Sequence, residues 1–259
     1  PPPPPPHANR EPQLWGPYTE HDAFHEPFVL FGHLAAVTTS IELVVGVLVA
    51  PQRQTALVAK QAAEVAVLSG HRLRLGMGTG WNWVEYESLG ASYATRARRL
   101  DEQVEVLRRL WSTPTVTFHG EFHDIERAGI LPRPETPIPI WFGGGAAPML
   151  RRAARLGDGF IFGHAGGRAR DAIGVLRAEL AACGRDTGEF GFEGLVDWSI
   201  GVEGCIDVAD AWARADGTHL SLRTFDTAAE FMGVRPSGFS TVDQHLEALG
   251  SFVAAVGGR

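Results

Sequence analysis

The chain repeats one pattern along most of its length: a short apolar run, often β-branched, followed by a helix-length segment with one apolar stripe. Six such pairs can be read. The strand-like runs are residues 41–49, 72–77, 138–142, 159–162, 190–200 and 219–222. The helical segments that follow them are 55–68, 96–111, 147–155, 171–183, 207–214 and 241–256. In the second of these helices Leu100, Val104, Leu107 and Leu110 recur at helical spacing. Residues 41–49 are apolar apart from Glu42, as a strand buried on both faces should be. Strands joined by helical crossovers run parallel, so the pattern predicts an α/β fold with a parallel sheet, open or closed.

A closed (β/α)8 barrel, the TIM barrel, needs eight strands, and 259 residues is the ordinary size for one barrel domain. The expectation is therefore a single domain over residues 1–259 whose first two strands and one helix would precede Pro1. The proline run Pro1–Pro6 suits a polyproline II segment, loop or linker, and residues 14–26 read as an irregular loop. A helix is expected over 28–38 and a hairpin outside the main pattern over 116–125. A six-stranded open sheet is the alternative, but no G-x-G-x-x-G fingerprint supports a Rossmann arrangement.

Charge and composition narrow the function. With 23 basic and 30 acidic residues the formal net charge is −7, and no basic run offers a footprint for a nucleic-acid backbone. The longest apolar stretch, near Leu43 to Ala50, is under half the length of a membrane helix. Cys183 and Cys205 are the only cysteines, which suits a reducing compartment, and a cytoplasmic location is expected. His119 and His123 flank the tip of the expected hairpin, but too few further ligands accompany them to predict a metal site.

Two strand ends carry glycine clusters. Gly76-Met77-Gly78-Thr79-Gly80-Trp81-Asn82 closes the second strand, and Gly143-Gly144-Gly145 closes the third and opens a helix. In a parallel barrel such ends share one rim, where active sites assemble. Glycine lets a ligand reach the backbone, and amides at a helix start bind phosphate. Tight turns alone would explain one cluster. Two at the same end predict a phosphorylated cofactor.

The motifs around these glycines resemble the bacterial luciferase-like monooxygenase family. The resemblance rests on Val45-Gly46-Val47-Leu48-Val49-Ala50-Pro51, on Lys60-Gln61-Ala62-Ala63, and on Gly76-Met77-Gly78-Thr79-Gly80-Trp81 followed by Glu85-Tyr86. It continues through Arg99-Leu100-Asp101-Glu102, Pro139-Ile140-Trp141-Phe142-Gly143-Gly144 and Asp158-Gly159-Phe160. It runs in order from Gly46 to Phe162; beyond that only the pattern continues.

The resemblance implies an oxidoreductase with a flavin or deazaflavin ring in the barrel mouth. It places a strand bulge, often with a non-prolyl cis peptide, at Gly46, Val47 and Leu48, against the ring. The cofactor phosphate would meet Gly144 and Gly145, with Gly78, Thr79, Gly80 and Gly143 nearby. Asn82 and Glu85 would touch the cofactor or else cap a helix. The motifs look most like actinobacterial members that use coenzyme F-420, and a chain in which Lys60 is the only lysine among the basic residues suits a GC-rich genome. Coenzyme F-420 with hydride transfer to or from a small organic substrate is the first expectation. The others are an FMN monooxygenase served by a separate flavin reductase and a non-catalytic flavin-binding protein. The family's acid–base residue lies on a strand this sequence lacks, so no general acid is assigned, and His164 is only a candidate. Trp81 and Trp141 would wall the pocket or sit in the core. Arg99 would pair with Asp101 or Glu102. A homodimer is implied, with residues 55–68 and 96–111 offering apolar surface.

Overall fold

The structure is a computed structural model that describes Leu14 and residues 16–257; the proline run lies outside the described residues. The chain forms two compact units, Phe24–Phe160 and a second made of residues 161–259 with the segment before residue 24.

The first unit opens with helix α1 (Pro27–Val37), whose first turn is capped by the Glu26 carboxylate accepting from the Val29 amide. Strand β1 (Leu43–Val49) follows, then a 3-10 turn at Ala50–Gln52 and helix α2 (Thr55–Leu68). Val58, Ala59, Ala62, Ala63 and Ala66 bury one stripe of α2, and small residues there let α4 approach closely. Strand β2 (Leu73–Gly78) is buried at every position. Short helix α3 (Trp83–Ser88) comes next, then α4 (Arg96–Ser112), the hairpin strands β3 (Val116–His119) and β4 (Asp124–Ala128), β5 (Ile140–Gly143) and α5 (Ala147–Leu156). β1 pairs in parallel with β2, and β2 with β5. α4 buries Leu100, Val104, Leu107 and Leu110, and its Trp111 Nε1 donates to the Ala59 carbonyl of α2 at 2.9 Å. At 25 cal/mol per Å2, each such leucine contributes roughly 2 kcal/mol of burial. The apolar face expected of α4 at a dimer interface is thus buried inside the unit. Exposed apolar side chains lie instead on α1 and α2, at Val29, Val37, Leu57 and Leu68.

Strand β6 (Gly159–Ile161) lies where the units divide. In the second unit follow α6 (Gly167–Ala182), β7 (Gly191–Asp197), α7 (Gly201–Arg214), β8 (His219–Arg223), α8 (Ala229–Met232) and α9 (Val242–Val256). β7 and β8 run parallel. Val196, Leu220 and Leu222 pack on Cys205 of α7 and Phe252 of α9. Alternation along the strands puts Asp197 and Arg223 on the opposite face, where they form a buried ion pair. α6 and α7 begin earlier than their periodicity suggests, because Gly167 and Gly201 at their starts read as loop. The last three residues of the expected strand 190–200 wind into a 3-10 turn, Trp198–Ile200.

Candidate active site

The candidate site is built by three consecutive parallel strands of the first unit. Leu75 and Met77 of β2 stand beside Ile140 and Phe142 of β5, so Gly78 and Gly143 come next in register at the same end. On the other side Val49 of β1 pairs with Gly78. All three exits therefore lie at the carboxyl ends of neighbouring strands, where a parallel sheet gathers its loops.

β1 does not reach that rim regularly. Its register with β2 slips between Val45 and Leu48, so that three steps on β1 match two on β2. The peptide between Gly46 and Val47 is cis. Bulge and peptide fall on the residues the family resemblance named. The Val47 side chain is turned onto β2: a Cβ on Gly78 would lie 2.7 Å from Val47 Cγ2 and 3.5 Å from the Gly143 carbonyl oxygen. A Cβ on Gly80 would meet Val49 Cγ1 at 2.7 Å, and Gly80 has φ +63°. β1, β2 and β5 thus touch through glycine backbone. Beyond this contact the surface opens. Gly144 (φ +136°) and Gly145 are exposed, and nothing stands within 4 Å of a Cβ placed on Gly145. Ala146 gives α5 no side-chain cap, but Pro148 has no N–H and the Met149 amide donates to the Ala146 carbonyl at 2.8 Å, so the donors left for an anion are the amides ahead of Pro148.

The turn after β2 is held from below. The buried Tyr86 hydroxyl donates to the Thr79 carbonyl at 2.7 Å, and burial pushes this phenol far above its ordinary range. Asn82 caps α3 by accepting from the Val84 amide, and its Nδ2 donates to Glu85 Oε1 at 2.9 Å. Glu85 Oε2 accepts from Gln52 Nε2 at 2.8 Å, which ties the exit of β1 to α3. The Asn82 side chain is thus engaged as a cap.

Arg99 does not make the ion pair expected of it. Asp101 binds Arg152 and Arg155, and Glu102 binds His123. Arg96 stacks 3.6 Å over the Tyr93 ring, which meets Tyr86 edge-on at 5.3 Å. The Nε atoms of Arg96 and Arg99 are both buried without a hydrogen-bond acceptor, and both guanidiniums bear electrostatically on Tyr86. Two cations with spare donors thus stand close to Tyr86, which anchors the Thr79 turn, and the sequence reading did not single them out as a pair. Their signal was the i, i+3 spacing at the start of α4.

Other candidates are placed differently. Trp141 is buried in the core under Arg74, whose Cζ lies 4.1 Å over its ring. His164 belongs to the second unit; it is exposed and accepts from the Gly166 amide at 3.1 Å. His119 bonds Asp124 at 2.6 Å in the exposed hairpin. A cavity of about 780 Å3 lies off the opposite end of β5, lined by Arg108, Trp111, Arg133, Ile138 and Pro139 among others; it contains none of the rim glycines.

The family model for luciferase-like monooxygenases matches residues 12–225. The chain belongs to that family. It is 45% identical over 163 residues to an uncharacterized protein of Mycobacterium bovis, covering 62% of this chain and 53% of that one. It is 34% identical to the pyrimidine monooxygenase RutA of Allorhizobium ampelinum, covering 64% and 47% respectively. It is also 34% identical to an F420-dependent glucose-6-phosphate dehydrogenase of Kineococcus radiotolerans, covering 60% and 48%. The chain spans about half the length of these curated relatives. Among solved structures it resembles the monooxygenase RslO1 of Streptomyces bottropensis (TM-score 0.66, 18% identity, 82% of this chain and 84% of that one). It also resembles an F420-dependent secondary alcohol dehydrogenase solved with an F420–acetone adduct (TM-score 0.63, 16% identity, 94% and 79%). The fold is accordingly that of the luciferase-like (β/α)8 barrels, with six parallel strands among the described residues. Relatives named for F420 and for monooxygenation make this an oxidoreductase family. No described helix is long and apolar enough to cross a membrane.

Proposed function

We propose that the chain is an oxidoreductase that binds coenzyme F-420 at the glycine rim and transfers hydride to or from a small organic substrate. The observation that carries this reading is the convergence of Gly78, Gly80, Gly144 and Gly145, with open space at Gly145 where a Cβ would otherwise stand. Backbone approach of that kind suits the flat ring and phosphate of a flavin-type cofactor. Gly144 and Gly145 amides would hold the phosphate, Arg96 and Arg99 would supply positive potential, and Gly46, Val47 and Leu48 would back the ring. The cofactor supplies the hydride chemistry; the residues named here bind it, orient it and keep water from one of its faces.

F-420 is preferred because the dehydrogenase relative and the alcohol dehydrogenase structure are both named for it, and neither name mentions oxygen insertion. The second reading, an FMN monooxygenase fed by a separate reductase, has the RutA and RslO1 likenesses in its favour. Parallel titrations with F-420 and FMN, followed by absorbance and fluorescence, separate them. Saturable F-420 binding with weaker FMN binding is the expected result, and tight FMN binding with none for F-420 would reverse the assignment. Binding of either without turnover would favour a sequestering role. In the same reading the chain works in the cytoplasm as a homodimer that pairs through the exposed apolar side chains of α1 and α2.

A further inference from the structure

Away from the glycine rim, a connected run of buried and half-buried polar groups lies where the β3–β4 hairpin meets α2 and α4, with Gln103 Oε1 the one polar side-chain atom in it that lacks a partner. His123 Nδ1 lies 2.7 Å from Glu102 Oε1, and its Nε2 lies 2.5 Å from Thr55 Oγ1. Gln103 Nε2 reaches Thr55 Oγ1 at 3.0 Å and also donates to the carbonyls of Ala50 (3.1 Å) and Arg53 (3.2 Å). Those carbonyls belong to the turn by which β1 leaves the sheet, directly after the bulge. The Thr55 and Gln103 side chains are buried, and those of His123 and Glu102 are 9% and 13% exposed.

We propose that Glu102, His123, Thr55 and Gln103 form a positioning chain through which the hairpin sets the exit turn of β1 and, with it, the Gly46–Leu48 segment. The effect on a bound cofactor rests on the flavin reading above; the effect on the turn does not.

The chain has a direction that gives the Thr55 hydroxyl and both His123 ring nitrogens a partner, with the two Gln103 N–H groups shared among three acceptors and Gln103 Oε1 left without one. With the His123 proton on Nδ1, Gln103 N–H donates to the Thr55 oxygen, Thr55 O–H donates to His123 Nε2, and Nδ1–H donates to the Glu102 carboxylate. The same carboxylate accepts from the Glu121 amide at 2.8 Å and the Phe122 amide at 2.9 Å at the hairpin tip. Burial would raise the Glu102 carboxyl, but His123 and those two amides outweigh it and hold the group below the usual carboxylate range. Gly120 completes the fit, since a Cβ there would stand 2.5 Å from the Glu102 carboxyl. A well-packed apolar contact would fasten a hairpin to two helices at least as stably. What the polar chain adds is a defined length and orientation: the middle members, Thr55 and His123, are satisfied only with both neighbours in place, so displacement at the hairpin propagates to Ala50 and Arg53.

The test compares the chain with its Thr55→Val, Thr55→Ser and His123→Phe variants by hydrogen exchange and by titration with F-420 and FMN. Thr55→Val removes the hydroxyl at nearly constant volume, and Thr55→Ser restores it. In Thr55→Val and His123→Phe, exchange over residues 48–53 should rise about tenfold, while residues 73–78 of β2 stay as they are. Cofactor affinity should fall about tenfold in the same two variants, with a shift of the bound absorption band. Thr55→Ser should match the parent in both measurements. Unchanged exchange over 48–53 overturns the proposal, as does a serine variant that behaves like valine. Faster exchange with an unaltered cofactor spectrum and affinity leaves the hairpin a plain brace and equally overturns it. If the parent binds neither cofactor, the flavin reading fails on that result alone, and the exchange comparison by itself decides whether the hairpin sets the turn.

Discussion

At the scale of single residues, the rim works by what its side chains leave out. Gly78 and Gly145 are both rim glycines, yet they differ in the space around them. An alanine at 78 would press its methyl group into Val47 and force the β1 bulge to move, at about 1–3 kcal/mol. A side chain at 145 would meet nothing, and this glycine's φ lies outside the left-handed region. Gly145→Asp should therefore keep the parent's melting temperature while setting a negative charge beside the amides proposed to grip phosphate. A loss of affinity for F-420 or FMN of about tenfold or more is the expected outcome, read by titration beside a melting curve. Unaltered affinity in a folded variant would mean that the phosphate lies elsewhere. Some of this detail was legible in the chain and some was not. Glycine at strand ends signals backbone approach at once, whereas the partner of Arg99 could not be read from spacing. Asp101 and Glu102 sit two and three residues away on the same helix, but Arg152 and His123, distant in sequence, claim them instead.

At the scale of elements, α3 is the piece that fixes the β2 exit, and the sequence offered it only as the alternative reading of Asn82 and Glu85, a helix cap, with no helix range. Six residues with two aromatics carry too little periodicity to announce a helix. Its anchor is Tyr86, which joins the helix to the Thr79 carbonyl. Because burial raises this phenol, the folded state holds the proton more tightly than the unfolded chain does. The resulting stabilisation is fully present below the ordinary phenol range, near pH 10, and is lost as pH rises through and beyond it. Tyr86→Phe should lower stability by about 1 kcal/mol at neutral pH, the worth of one hydrogen bond, and should flatten the alkaline limb of a pH–stability profile measured by urea unfolding. If the alkaline limb is as steep in the variant as in the parent, another group is responsible for it. Longer elements were easier to read. Thr55–Leu68 is recovered to the residue, since an alanine-rich stripe ending at Ser69-Gly70 has both a period and a stop. The register slip in β1 has no counterpart in hydrophobic period, because every neighbour there is apolar; only motif likeness located it.

At the scale of the whole molecule, alternation of strand and helix predicted the fold class, the resemblance rested on motifs in the half that carries the rim, and the family model extends over residues 12–225. What alternation could not give is which faces meet a second copy. Apolar residues on α4 looked available, but Leu100, Val104, Leu107 and Trp111 are buried within their own unit. Val29, Val37, Leu57 and Leu68 stay exposed on α1 and α2. A homodimer through those helices should give twice the chain mass in light scattering at micromolar concentration. Leu57→Glu with Val29→Glu should return the monomer without changing the melting profile of the monomeric fold. A parent that scatters as a monomer removes the dimer from the proposal.

The crevice between Trp111, Ile138 and the prolines before β5 has a practical consequence. Its size falls within the range of small-molecule pockets, and its walls combine an indole, prolines and two arginines, so it can lodge an aromatic additive far from the glycine turns. A compound screen scored only by thermal shift would count such a guest as a hit. Displacement of a bound chromophore, rather than added heat resistance, is the signal that distinguishes an occupant of the rim from a lodger at the other end.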